Sequence, residues 1–253
     1  MELRILRHAR VDSTSERALV EIAAGRARHG DVHVAAEQSA GRGRRGASWV
    51  SAPGEGLYLS LVLLPASAPR PTALTMGAGL AVLEAVHALG ARAARLKWPN
   101  DVLAPDARGP AATLAGILVE SRGLDPARPH AVVGVGLNVR QRAFPAELER
   151  ERAVTSLALL GCEVELERAL DVLLARLAER LDEACAHPEA SARAYAQALE
   201  LVGHAVRVRM AHGERRGRLE ELTLAGLVLA GERLALEHVQ ALELDAERTP
   251  AAR

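Results

Sequence analysis

The chain has 253 residues, 49% hydrophobic and 25% charged, which are ordinary values for a globular protein of one domain with or without a small appendage. Its 32 basic and 32 acidic residues cancel, so the protein as a whole lacks the basic footprint of a nucleic-acid binder. One Phe, two Tyr and two Trp leave the core to be built from Leu, Val and Ala.

Residues 4–8 read as a short strand. Asp12-Ser13-Thr14-Ser15-Glu16 then opens a helix that runs to about Ala24 and ends near Gly25. Ser13 with Glu16 three positions on has the capping-box pattern, which satisfies free amides at a helix start. Those same N–H groups would equally receive an anion or a polar ring, so Ser13 carries a structural and a ligand-binding reading. Val32 to Glu37 is a strand that runs into Gln38-Ser39-Ala40-Gly41-Arg42-Gly43-Arg44-Arg45-Gly46-Ala47-Ser48-Trp49. The glycines match G-x-G-x-x-G, but the dinucleotide fingerprint needs a helix opening there, and no apolar helical period follows. Arginines in a glycine-rich loop suit phosphate or carboxylate, which guanidinium forks bind in bidentate fashion. A solvated basic loop is the plain alternative.

Gly56 to Leu64 is a buried strand closed by Pro65. Pro71 opens a helix with apolar positions at 74, 78, 82, 85 and 89, ending at Gly90. Arg95 to Trp98 is the next strand, and Pro99-Asn100-Asp101 turns out of it. Residues 104–112 read as a loop, and Leu114 to Glu120 and Ala131 to Val139 as strands. Glycine weakens a strand, so Gly116, Gly134 and Gly136 mark close approach of a ligand or another backbone. Lys97, Asn100, Gly116 and Asn138 can thus converge on one face of a sheet. The charged run at 147–152 reads as a solvated helix, and Glu165 to Cys185 and Pro188 to about Leu201 as two further helices. From Gly203 the period changes to two, and five short strands between 205 and 244 predict a small barrel.

Lys97 is the only lysine; every other basic residue is arginine, and asparagine occurs only at 100 and 138. Where arginine has replaced lysine almost everywhere, a survivor points to a site that needs a compact ammonium rather than a planar guanidinium. A chance surface residue is the alternative. No Walker A loop, H-E-x-x-H, C-x-x-C or G-x-S-x-G is present, and the nine histidines lack metal spacing and read almost entirely as surface residues. What remains is cationic, and suits a reaction in which negative charge builds on phosphate. Cys162 and Cys185 fit no metal or redox spacing and read as buried, reduced thiols. With no signal peptide and no membrane-spanning apolar run, the expected location is cytoplasmic.

Gly41-Arg-Gly-Arg-Arg-Gly46 with Trp49, Lys97-Trp-Pro-Asn-Asp101, Leu114-Ala-Gly-Ile-Leu-Val-Glu120 and Val133-Gly-Val-Gly-Leu-Asn138 together resemble the biotin protein ligases in order and spacing. The likeness is close over 12–140 and loose beyond. It implies an α+β fold: a mixed-sheet catalytic domain of the biotin/lipoate ligase type with helices packed on it (1–201), an SH3-like barrel (202–247) and a tail (248–253). It implies attachment of biotin to a lysine of a biotin carboxyl carrier domain, through biotinyl-5′-AMP, with ATP and Mg²⁺ as co-substrates. By resemblance Lys97 and Arg42 are catalytic. Ser13, Thr14, Ser15, Gln38, Gly41, Arg42, Gly43, Arg44, Lys97 and Gly116 fall to biotin. Arg42, Arg44, Arg45, Trp49, Lys97, Asn100, Asp101 and Asn138 fall to ATP and the adenylate, with no metal ligand among the side chains. Ser15, Ala47-Ser48 and Thr113 depart from the family pattern; at Thr113 a positive contact is absent or supplied by an arginine. The signature starts at residue 12, so no DNA-binding domain is expected ahead of it, and no membrane association. The chain is expected to be a monomer or homodimer. A lipoate or octanoate transferase of the same fold and a non-catalytic biotin binder are the rival readings.

Overall fold

The computed structural model describes residues 1–67, 70–107, 109–121 and 129–245. β1 (Arg4–Val11) leads into α1 (Thr14–Ala23) and β2 (Asp31–Gln38). After the glycine–arginine loop come β3 (Gly56–Leu63), α2 (Pro71–Ala88), β4 (Arg95–Lys97), β5 (Asp101–Asp106), β6 (Gly109–Glu120) and β7 (Ala131–Asn138). α3 (Ala146–Glu151), α4 (Leu166–Ala186) and α5 (Pro188–Leu199) follow. Then come β8 (Ala205–Met210), β9 (Gly213–Thr223), β10 (Gly226–Leu229), β11 (Glu232–Leu234) and β12 (Val239–Leu244).

The first seven strands form one sheet in the order β1-β2-β3-β7-β6-β5-β4; β1 and β2 are parallel and every other pair antiparallel. Alternation along each strand sends side chains to opposite faces. On β3, Leu57, Leu59, Leu61 and Leu63 join the core with α2 and α4. Val62 instead packs with Val132 and with Ala18 of α1 on the other side. α2 is buried nearly all round, between the sheet, α4 and α5, which is why its sequence is apolar on every face.

Residues 104–112 are not the expected loop. β5 and β6 stay paired out to Asp106 and Gly109, with register shifts on the way. Pro105 and Pro110 suggested a break, but β4 pairs only with residues 101–103, so Pro105 lies on a free edge where its missing N–H costs nothing. The last five strands form an antiparallel sheet in the order β11-β10-β9-β8-β12. It is compatible with an SH3-like barrel, but the strands do not close on one another. It joins the main core through Val206, Val208, Leu219 and Leu242, and Trp98 Nε1 donates to Val239 O at 3.4 Å. Neither thiol is buried as expected: Cys162 is half-buried and Cys185 exposed. Of the nine histidines, expected almost entirely at the surface, His33 and His130 are buried. Among the described residues no helix is long and apolar enough to cross a membrane.

Candidate active site

Strand pairing sets Lys97, Asp101, Gly116, Gly136 and Tyr58 side by side across β4, β5, β6, β7 and β3. Paired residues share a face, so the row carries a cation and a carboxylate at one end and a trough without side chains in the middle. Trp49 lies in that trough. A Cβ at Gly136 would stand 2.3 Å from Trp49 Cε2, and one at Gly116 2.8 Å from Cζ3, so only glycine admits the indole. The close approach that these strand glycines implied is made by the chain's own Trp49. Its Nε1 is buried and has no hydrogen-bond partner among the described residues.

The start of α1 forms the opposite wall. Ser13 caps the helix with extended backbone, but its side chain makes no capping bond, and Glu16 pairs with Arg42 at 3.0 Å instead. The capping box therefore does not form, and the Ser13 hydroxyl is not used as a cap. Ser13, Thr14, Ser15, Gln38, Arg42, Gly43, Arg44, Trp49, Asn100, Asp101 and Gly116 line one cavity of about 160 Å³. These are eleven of the residues the resemblance singled out, drawn from four separate stretches of chain.

The arginines of the loop divide their duties. Arg42 spends its guanidinium on Glu16 and, at 2.7 Å, on Glu120, stapling the loop to α1 and the end of β6. It still lines the cavity while paired to both carboxylates. Arg45 lies on the outer side of the loop with Glu120 and Ser121, outside the cavity. Arg44 lines the cavity too, with no carboxylate staple among the described residues, and donates from Nη1 to Asn100 Oδ1 at 3.2 Å. Asn100 is itself held to β6, since its Nδ2 donates to Ile117 O at 2.9 Å. Arg44 remains exposed as a residue, yet protein crowds its guanidinium, and this crowding, then Arg45, pulls its pKa below the ordinary arginine value against the attraction of Asp101.

Asp101 is half-buried. Burial pushes its carboxyl above the usual carboxylate range, while Lys97, Arg152 and Arg44 all oppose that shift. Lys97 does not line the cavity but is Asp101's partner in the β4–β5 ladder. Gly41 lies just outside, packed against Trp49 O. Asn138 does not line this cavity but a small adjoining one beside Trp49 and Arg152; its Nδ2 donates to Thr155 O at 2.9 Å and its Oδ1 accepts from Gln141, so it ties β7 to the following segment.

Sequence reasoning missed Arg152, which lines the cavity and donates weakly to Ser48 O at 3.4 Å. The charged run at 147–152 predicts a solvated helix, and Arg152 caps its C-terminal end. The signal available was Thr113, whose missing positive charge left room for an arginine. A parallel bridge between Thr113 and Val154 brings Arg152 to that place. Gly134 and Gly136 also line the cavity, where the sequence marked close approach without assigning them to a ligand.

The model of the biotin/lipoate A/B protein ligase family matches residues 8–138. A bifunctional ligase/repressor BirA of Salmonella typhimurium is 36% identical over 172 residues, covering 68% of this chain and 50% of that protein. The chain thus spans about half the length of the BirA relatives it matches. A biotin–acetyl-CoA-carboxylase ligase of Mycobacterium tuberculosis is 36% identical over 213 residues, covering 81% of this chain and 74% of the relative. The structure of the Aquifex aeolicus biotin protein ligase in complex with biotin and ATP superposes with a TM-score of 0.71 at 27% identity, over 94% of each chain. In sequence and in fold, this chain belongs to the biotin/lipoate A/B protein ligase family.

Proposed function

We propose that the protein joins biotin to a lysine of a biotin carboxyl carrier domain, through biotinyl-5′-AMP. The observation that carries this reading is the charge in and beside the cavity: Arg44 and Arg152 line it, and with Lys97 next to it they act on Asp101, the one carboxylate among its lining residues. Such an excess of positive charge suits two anions held together, a carboxylate and a triphosphate. The relatives lend the substrates: the Aquifex enzyme was solved with biotin and ATP, and the Mycobacterium relative is named for acetyl-CoA carboxylase.

In the first step the biotin carboxylate attacks the α-phosphorus of ATP and pyrophosphate leaves. Lys97, and Arg44 held by Asn100, offset the charge that develops on the phosphoryl oxygens. In the second step the carrier lysine's amine attacks the acyl carbon of the mixed anhydride, gives up a proton, and AMP leaves. Hydroxyls at the start of α1 and the Gln38 amide meet the polar ring of biotin, and Trp49 offers its indole to the adenine. The loop over the cavity keeps water from a hydrolysable anhydride. Arg152 supplies the positive contact that Thr113 lacks. Mg²⁺ would be held through the substrate phosphates. The sheet after residue 202 closes over ATP or the carrier.

The test is biotin-dependent ATP–pyrophosphate exchange in wild type and Lys97→Arg, with lipoate as the competing substrate. Exchange with biotin, lost by about 100- to 1000-fold in the variant, is the expected outcome for removal of a charge-stabilising donor. Exchange with lipoate alone would make the protein a lipoate ligase. Exchange with neither would leave a binding protein.

A further inference from the structure

The hydroxyls at the start of α1 are tied to the loop by a hydrogen-bond chain whose direction the geometry fixes. Thr14 N donates to Gln38 Oε1 at 2.8 Å, which orients the amide with its oxygen towards α1 and its nitrogen towards Ser51. Thr14 Oγ1 donates to the same oxygen at 3.1 Å. A hydroxyl has one proton to give, so at its 2.8 Å contact with Ser60, Thr14 accepts and Ser60 donates. With that proton spent, Ser60 must accept from Ser15 at 2.9 Å. At the far end Gln38 Nε2 donates to Ser51 Oγ at 2.9 Å, and Ser51 donates to the Trp49 carbonyl at 3.3 Å.

Two glycines make room for the chain. A Cβ at Gly134 would stand 2.9 Å from Ser15 Oγ, and one at Gly41 3.0 Å from both Gln38 Nε2 and Ser51 Oγ. Ser60 and Ser51 are buried, and neither lines the cavity. The chain therefore leaves acceptor lone pairs on Ser15 and Thr14, and one N–H on Gln38, free for a ligand.

We propose that Ser60 and Ser51 are positioning residues. Ser60 sets the donor and acceptor pattern that Thr14 and Ser15 present to the ligand. Ser51 couples Gln38 to the backbone of Trp49, so that filling the cavity and ordering the loop are linked. The first half rests on biotin being the ligand; the second does not.

The experiment pairs two readouts. Hydrogen exchange over residues 41–51 is followed in the ligand-free protein for wild type, Ser51→Ala and Ser51→Thr. Kinetic constants for biotin and ATP are measured by pyrophosphate exchange for the same proteins and Ser60→Ala. A lost hydrogen bond of ordinary strength predicts about tenfold faster exchange in Ser51→Ala, about tenfold higher KM for biotin, and kcat within about threefold. Ser51→Thr restores both, because it keeps the hydroxyl. Ser60→Ala raises the KM for biotin and leaves that for ATP alone. Unchanged loop exchange in Ser51→Ala, or equal rises in both KM values, overturns the proposal. Should the buried Ser60→Ala protein fail to fold, the Ser51 pair carries the test. Loosening of the loop in a protein that does not turn over biotin would sink the biotin reading and keep the coupling.

Discussion

The two faces of the seven-stranded sheet are made by the same strands and do opposite work. On β7, Val133, Val135 and Leu137 enter the main core with α2 and α4, whereas Gly134 and Gly136 between them meet Ser15 and Trp49 on the other face. On β3, four leucines alternate with Tyr58 and Ser60. The apolar face is close-packed and holds the fold. The other face carries glycine troughs, a carboxylate raised by burial, and buried polar atoms without partners among the described residues: Trp49 Nε1, Arg42 Nε, Arg152 Nε and His33 Nε2. Each such atom typically costs about 1–3 kcal/mol. Stability is therefore generated on one face and given up on the other, where ligand contacts are to be made.

The comparison breaks most sharply at Gly136. Gly136→Val places side-chain atoms where the indole lies, since even a Cβ would come within 2.3 Å of it. Pyrophosphate exchange should fall below detection, while overpacking lowers the unfolding free energy by only about 1–3 kcal/mol. Near-normal turnover would show that the trough is not where the ligand goes. The mirror change is Leu61→Ala, fully buried on the apolar face. It should cost about 2–5 kcal/mol in urea unfolding and leave kcat of the folded fraction within about twofold. A large kcat loss there would mean that the faces are mechanically coupled.

Much of this division could be read from the chain. Period-two and period-3.6 patterns locate the strands and helices, because burial on one face dictates them, and a lone lysine among arginines drew attention to the β4 end. What escaped was set by partners distant in sequence. Arg42 and Arg44 are chemically identical two positions apart, and only Glu16 and Glu120 make one a staple and leave the other to bond Asn100. Glu16 fits a capping box until Arg42 arrives. Arg152 reaches the site through a strand bridge at Thr113 that no local pattern announces.

A smaller and pH-dependent difference lies on the cavity side. His33, paired in register with Ser60, meets His8 with near-parallel rings, and His8 Nε2 stands 3.1 Å from His33 Nδ1. Burial above all lowers both imidazole pKa values. His8 and Arg17 push His33 the same way, while Asp31 and Glu21 oppose; on His8, Arg17 lowers and Glu21 raises. A depressed histidine binds fewer protons folded than unfolded, so stability is present above the unfolded value of about 6.5 and is lost as pH falls below it. The urea midpoint should drop between pH 7.5 and 5.5, less so in His8→Ala, while the Leu61→Ala decrement stays constant. A midpoint flat across that interval would remove the histidine pair from the account.

The smallest effect is expected at Arg45, on the outer side of the loop. Its backbone sits at φ 55°, ψ 34°, the left-handed region that costs a non-glycine residue about 1–2 kcal/mol. Arg45→Gly relieves that strain but adds freedom to the unfolded chain worth about 0.4–1 kcal/mol, so the two nearly cancel. Arg45→Ala keeps the strain and removes only the charge. If Arg45 acts through its backbone alone, both variants should exchange pyrophosphate at close to the wild-type rate, with Arg45→Gly the slightly more stable of the two. A tenfold rate loss shared by both would bring the guanidinium into the reaction after all, with the loop swinging it inward once ligand is bound. A loss confined to Arg45→Gly would instead mean that the loop needs a stiff turn here to stay over the cavity.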